Sequence, residues 1–115
     1  MNFIRLKKKN LYVENVSAFL LTKKYKTPFY CYSLKQLKNN FYSFSNTFKK
    51  VKPLICFSVK SNSNITLLKK LKAIGSGADV VSAGELLKAK KAGINGEKIV
   101  FSGVGKTEDD IKLAI

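Results

Sequence analysis

A lysine at the end of an apolar run is the first residue in this sequence with evident chemical use. In Ile55-Cys56-Phe57-Ser58-Val59-Lys60 the run ends on an amine, and Ser61, Asn62, Ser63 and Asn64 follow at once. A lysine attacks a carbonyl only when neutral, so a reactive one needs its pKa lowered by burial or by nearby positive charge. A buried strand that delivers the amine to the mouth of a barrel would supply that burial; the alternative is an ordinary exposed charge where a strand surfaces. Two more polar clusters stand in the same relation to apolar runs. Asp79, Ser82 and Glu85 surround residues 78–81, and Ser102-Gly103-Val104-Gly105-Lys106 follows residues 98–101. Asp79 is placed to hold the amine or a cofactor, or else to be a strand-edge carboxylate or a helix-start charge. The GVGK stretch lacks the GxxxxGK[ST] spacing of a phosphate loop, which leaves a plain glycine turn opening a helix or a weaker anion-binding turn.

These residues need elements to position them. Residues 17–25 (SAFLLTKKY) carry apolar positions at helical spacing behind a serine suited to an N-cap, and Thr27-Pro28 ends that pattern. Residues 29–32 (FYCY) read as a short aromatic strand. From Leu34 to about Lys50, apolar residues at Leu34, Leu37, Phe41, Phe44 and Phe48 predict an amphipathic helix. After Pro53 a unit repeats: strands over 54–59, 78–81 and 98–101, each followed by a helix, over 65–74, 84–92 and from Thr107 onward. The strands are continuous apolar runs, as expected when helices cover both faces. Gly75, Gly77, Gly93 and Gly96 mark the returns from helix to strand, and Glu108, Asp109 and Asp110 place negative charge at the start of the last helix. The fold class is α/β with a parallel sheet, doubly wound or a (β/α)8 barrel. The sequence stops inside the last helix, so the expectation is the N-terminal part of a longer protein.

Composition narrows the function. A chain of 115 residues with 45% apolar and 11% aromatic content is globular, with one core. The formal charge of +15 invites a nucleic-acid reading, but Arg5 is the only arginine and the lysines are scattered over several segments. Nucleic-acid binders need a coherent basic footprint, with arginine for bidentate phosphate contacts, so no nucleic-acid partner is expected. Cys31 and Cys56 form no CxxC pair and there is no histidine, so no metal site is expected, and both thiols read as reduced and buried. The N-terminus shows no signal-peptide pattern, and no apolar run reaches the ~20 residues of a membrane span. A cytoplasmic protein without membrane contact is the expectation.

Four stretches, in order, carry a resemblance: residues 27–33 (TPFYCYS), 55–64 (ICFSVKSNSN), 75–86 (GSGADVVSAGEL) and 98–107 (KIVFSGVGKT). Together they resemble the diaminopimelate decarboxylases, pyridoxal-phosphate enzymes of the alanine-racemase-like barrel type (fold type III). The resemblance implies the N-terminal part of a (β/α)8 TIM barrel, truncated after about three βα units. It implies that residues 1–28 form a segment packing partly with a C-terminal β domain, and that residues 29–115 begin the barrel that binds pyridoxal 5′-phosphate. It further implies that Lys60 makes the covalent imine link to this cofactor, that Asp79 lies close to the cofactor, and that Glu85 lies nearby. The implied reaction is decarboxylation of meso-2,6-diaminopimelate, a small amino-acid substrate, to L-lysine and carbon dioxide by a homodimer. Ser58 and Ser61 stand where the family has alanine, and Ala83 where it often has glycine; small-for-small changes of this kind are expected to be tolerated. The family's glycine-rich phosphate cradle, substrate-binding arginines and tyrosine, and catalytic cysteine fall beyond Ile115, so residues 1–115 alone are expected to be inactive. The rival expectations are a sister decarboxylase of another basic amino acid or polyamine precursor, and a non-catalytic cofactor-binding or basic interaction module.

Overall fold

The computed structural model describes residues 3–115. The chain divides into two compact units, Met1–Asn46 and Thr47–Ile115.

The first unit opens with a three-stranded antiparallel sheet, β1 (Ile4–Lys7), β2 (Asn10–Val13) and β3 (Val16–Ser17), in that order. Pairing runs from Ile4 opposite Val13 to Lys7 opposite Asn10, so Lys8 and Lys9 form a two-residue hairpin loop. Such loops need positive φ, and the two lysines take it, at 47° and 61°. Glu14, with φ 56°, turns the chain from β2 into β3. The Arg5 guanidinium braces that turn, donating to the Glu14 carbonyl (3.2 Å) and to Asn15 Oδ1 (3.1 Å).

Helix α1 (Ala18–Lys24) follows with Ser17 as its N-cap residue, but the serine side chain makes no capping bond. The aromatic stretch 29–32 differs from the sequence expectation: it has no regular secondary structure and joins neither sheet. A strand exists only through a partner's backbone groups, which aromatic propensity alone does not supply. Cys31 within it is exposed, not buried as expected. Helix α2 (Leu34–Thr47) has the predicted amphipathic spacing but ends at Thr47, before a short 3-10 turn over Lys49–Val51. Its start is well held. Ser33 is buried, its hydroxyl accepts from the Gln36 amide (3.0 Å) and donates to Glu14 Oε1 (2.9 Å), and the same carboxylate accepts from the Lys35 amide (3.0 Å).

The second unit is three strand–helix repeats: β4 (Cys56–Ser58) then α3 (Ile65–Lys72), β5 (Gly77–Val80) then α4 (Ala83–Lys91), and β6 (Ile99–Phe101) then α5 (Glu108–Ala114). The strands form one parallel sheet in the order β4-β5-β6, with Ser58 opposite Asp79 and Asp79 opposite Val100. Side chains alternate between the two faces of a strand, and here the alternation sorts core from site. Ala78, Val80, Phe57, Ile99 and Phe101 pack with Leu68, Leu86, Ala89 and Ile94 in one apolar cluster. Cys56, Ser58, Gly77, Asp79 and Val100 take the other parity.

Local signals explain the helices. The Asn64 side chain accepts from the Thr66 and Leu67 amides to start α3, and Ser82 Oγ accepts from the Glu85 amide to start α4. Thr107 and Asp110 form a reciprocal capping box at α5, as the acidic first turn predicted. Gly75 and Gly93 end α3 and α4 at φ 94° and 82°, where a side chain would be strained. Gly77, expected in the return, is instead the first residue of β5.

Candidate active site

Strand β4 ends at Ser58, one residue earlier than the apolar run suggested, and Val59–Ser61 form a 3-10 turn. Val59 is fully buried within the core and anchors this turn, which lies against β5. Lys60 therefore projects from an anchored turn at the C-terminal edge of the sheet, where α/β folds carry their sites.

The polar residues after it are committed to local structure. Ser61 Oγ donates to the Ser58 carbonyl (2.7 Å), Asn62 Oδ1 accepts from the Asn64 amide (3.1 Å), and Asn64 Oδ1 caps α3. Ser63 Oγ accepts from Lys88 Nζ at 2.8 Å. Among the described residues the Lys60 amine has no hydrogen-bond or ion-pair partner. It is also exposed, so the expected burial of the amine is not supplied by this part of the fold. The apolar strand that precedes it buries Val59, one residue short of the lysine.

Asp79 lies on the face of β5 away from the helices and is half-buried. Ser58 Oγ donates to its Oδ2 at 3.4 Å, and Ser102 Oγ donates to its Oδ1. A hydroxyl from each flanking strand end thus meets one oxygen of the carboxylate. Cys56 shares this face, and its thiol pKa is raised, first by burial and then by the negative charge of Asp79. Glu85 lies in the first turn of α4. Its Oε2 accepts from the Val81 amide (3.0 Å), tying the start of α4 to the end of β5.

The glycine turn after β6 is closed on itself. Lys106 Nζ donates to the Gly103 and Phe101 carbonyls (2.6 and 3.2 Å) and lies 5.4 Å from the centre of the Phe101 ring. Of the two sequence readings for GVGK, the plain turn fits, because its cation is committed to its own loop. A cleft lined by Leu86, Ile94, Ile99, Phe101 and Leu113 opens elsewhere, on the helix-packed side, and neither Lys60 nor Asp79 borders it. The described residues contain no cluster of three or more potential metal ligands.

Sequence reasoning brought Lys60 and Asp79 to the same end of the sheet but missed Ser58 and Ser102 as partners of Asp79. The usable signal was parity: Ser58 and Asp79 share a face only once the register is known.

Residues 34–115 match the family described as "Pyridoxal-dependent decarboxylase, pyridoxal binding domain". The chain belongs to this family. It is 50% identical over 91 residues to a diaminopimelate decarboxylase of Helicobacter pylori, covering 79% of this chain and 22% of the relative. The diaminopimelate decarboxylase of Haemophilus influenzae is 41% identical over all 115 residues, covering 28% of that relative. Among solved structures, diaminopimelate decarboxylase from M. jannaschii in co-complex with L-lysine superposes with a TM-score of 0.92 at 31% identity, covering 98% of this chain and 27% of that one. The chain thus spans about a quarter of the length of the proteins it matches, 22% and 28% for the two relatives above. Its parallel βα repeats are those of the alanine-racemase-like (β/α)8 barrel that the sequence resembles. The donor set here fits the aldehyde end of a pyridoxal cofactor: an unpartnered primary amine and a fixed carboxylate at one end of one sheet. The glycine turn over residues 103–106 does not fit its phosphate, since its lysine is closed on the loop's own carbonyls.

Proposed function

We propose that the protein carrying this chain catalyses pyridoxal-phosphate-dependent decarboxylation of meso-2,6-diaminopimelate to L-lysine and carbon dioxide. The observation that carries the reading is Lys60. Ser61, Asn62 and Asn64 are committed to the turn or the start of α3 and Ser63 to Lys88 of α4, and the amine alone is left for other work. The names of the relatives, and the L-lysine in the co-complex, support the substrate class.

In this reading Lys60 holds the cofactor covalently, and Asp79 presents a fixed negative charge beside it. When bound, pyridoxal phosphate supplies an electron sink for the carbon that loses carboxylate. The chain's own part is to orient the amine by anchoring Val59 in the core. Removal of Lys60 from water falls to groups that cover this end of the sheet.

The remaining assignments belong to the same reading. Residues 29–115 begin the barrel, and residues 1–28 pack partly with a C-terminal β domain. The complete protein works as a cytoplasmic homodimer without nucleic-acid or membrane partners, and residues 1–115 alone turn nothing over. Two free thiols, as a reducing compartment maintains, support the location.

The test uses the complete protein and its Lys60→Ala variant, assayed for cofactor absorbance and for carbon dioxide release from diaminopimelate, ornithine, arginine and lysine. The expected result is diaminopimelate-selective turnover that disappears, with the absorbance, in the variant. Retained absorbance and turnover in Lys60→Ala would overturn the assignment of Lys60, and preference for another amino acid would overturn the substrate.

A further inference from the structure

We propose that Ser58 and Ser102 are positioning residues that fix the Asp79 carboxylate, with Ser102 the principal one. The inference rests on the reading of this site as a pyridoxal-phosphate site, and it adds two residues to which no role has been given.

An aspartate has two side-chain torsions, and a carboxylate on an open sheet face is free to turn about both. Here each oxygen has its own donor, Oδ2 from Ser58 and Oδ1 from Ser102, arriving from opposite neighbouring strands. Gripping the two oxygens from two sides sets both torsions. The donors are themselves tied down. The Ser102 amide donates to the Val80 carbonyl at 2.9 Å, which extends the β5–β6 ladder one step past Phe101 and fixes Ser102 beside the strand that carries Asp79. Ser58 is paired with Asp79 in register, and its carbonyl accepts from Ser61 Oγ at 2.7 Å. Ser58 therefore links two structures: its hydroxyl reaches the carboxylate, and its carbonyl braces the turn that holds Lys60. Hydrogen bonds to a charged acceptor are the stronger kind and are sensitive to length, and the contact from Ser58, at 3.4 Å, is long for a bond between two oxygens, so it is the weaker of the two.

The experiment is a set of pyridoxal 5′-phosphate titrations by absorbance on the complete protein, with thermal midpoints recorded for every variant. Ser102→Val removes the hydroxyl while keeping the shape of threonine, and Ser102→Thr restores it. Loss of a hydrogen bond to a charged group corresponds to roughly a tenfold rise in the cofactor dissociation constant for Ser102→Val. Ser102→Thr should stay within about twofold of wild type, the scatter of independent sites. Ser58→Ala should fall between the two. With Asp79→Ala as background, Ser102→Val should add less than about twofold, because a residue that acts through Asp79 has nothing left to act on. A merely structural serine would weaken binding equally in both backgrounds, and that result overturns the proposal, as does equal binding by the Val and Thr variants. Wild-type protein that takes up no cofactor overturns the functional reading itself and is seen before any variant is compared.

Discussion

Ser58 and Asp79 stand directly opposite each other across β4 and β5, and the serine hydroxyl donates to the aspartate Oδ2 at 3.4 Å. The pair sits on the sheet face opposite the core cluster, where a charge needs no burial but does need a direction. The carboxylate is felt by the Cys56 thiol on the same face.

Cys56 is half-buried and its thiol is pushed up by burial first and by the Asp79 charge second, whereas Cys31 is exposed. Thiolate is the reactive form. At pH 8, iodoacetamide should therefore modify Cys31 several-fold faster than Cys56, read by peptide mass spectrometry. Asp79→Asn removes one of the two causes, so it should speed Cys56 alkylation while leaving Cys31 unchanged. A Cys56 rate indifferent to Asp79 would show that the charge does not reach the thiol.

Glu14 gives the first unit an acid-sensitive joint. Its pKa is lowered from the ordinary 4.5, first by the Lys35 amide, then by the Ser33 hydroxyl, with a smaller pull from the Lys35 ammonium 3.8 Å away. A carboxylate with a depressed folded-state pKa contributes stability that is fully present above its unfolded value and lost as pH falls through the folded one. The thermal midpoint should thus hold from pH 7 to about pH 5 and drop below the ordinary value of 4.5. Glu14→Gln should lower the midpoint at pH 7 and flatten this contribution. An equally steep acid limb in the variant would assign the effect to other carboxylates.

The Lys8-Lys9 hairpin loop carries a conformational cost, since both lysines hold positive φ. Lys8→Asn with Lys9→Gly supplies the residues such loops favour. The double variant should gain about 1 kcal/mol, an estimate from the penalty of a left-handed residue offset by the flexibility of glycine. Chemical denaturation followed by circular dichroism would read it, and an unchanged midpoint with unchanged slope would argue that the loop relaxes.

The lysine excess should behave as a solvated surface. Binding to duplex DNA is expected to be weak at low salt and absent at physiological salt, as measured by fluorescence anisotropy. Tight, sequence-selective binding at that salt would contradict the treatment of the +15 charge.

What could be read from sequence was local. Asn64, Ser82 and Thr107 announce helices because a cap acts within three residues, and the apolar runs between them announce buried strands. The antiparallel sheet of the first unit was hidden, because its hairpin uses Lys-Lys where a glycine or asparagine would have signalled the turn. The stretch 29–32 misled for the opposite reason, having strand composition without a strand partner. Lys60 was visible from its place after an apolar run, but its exposure was not, because burial depends on what lies across the sheet. The partners of Asp79 stand 21 and 23 residues away, and only register brings them together.

The alternation of faces along β5 has a consequence for assembly. Asp79 is flanked in sequence by Ala78 and Val80, both wholly enclosed in the apolar cluster. A slip of one residue in the pairing of β5 would turn its entire side-chain set over, driving an ionised carboxylate in among Leu68, Leu86 and Ile94 and lifting valine out into water. Enclosing an unpaired charge costs far more than any single strand contact returns. The same aspartate that marks the site therefore acts as a proofreader of the sheet, admitting only the alignment in which it meets its two serines and rejecting the neighbouring ones as they form.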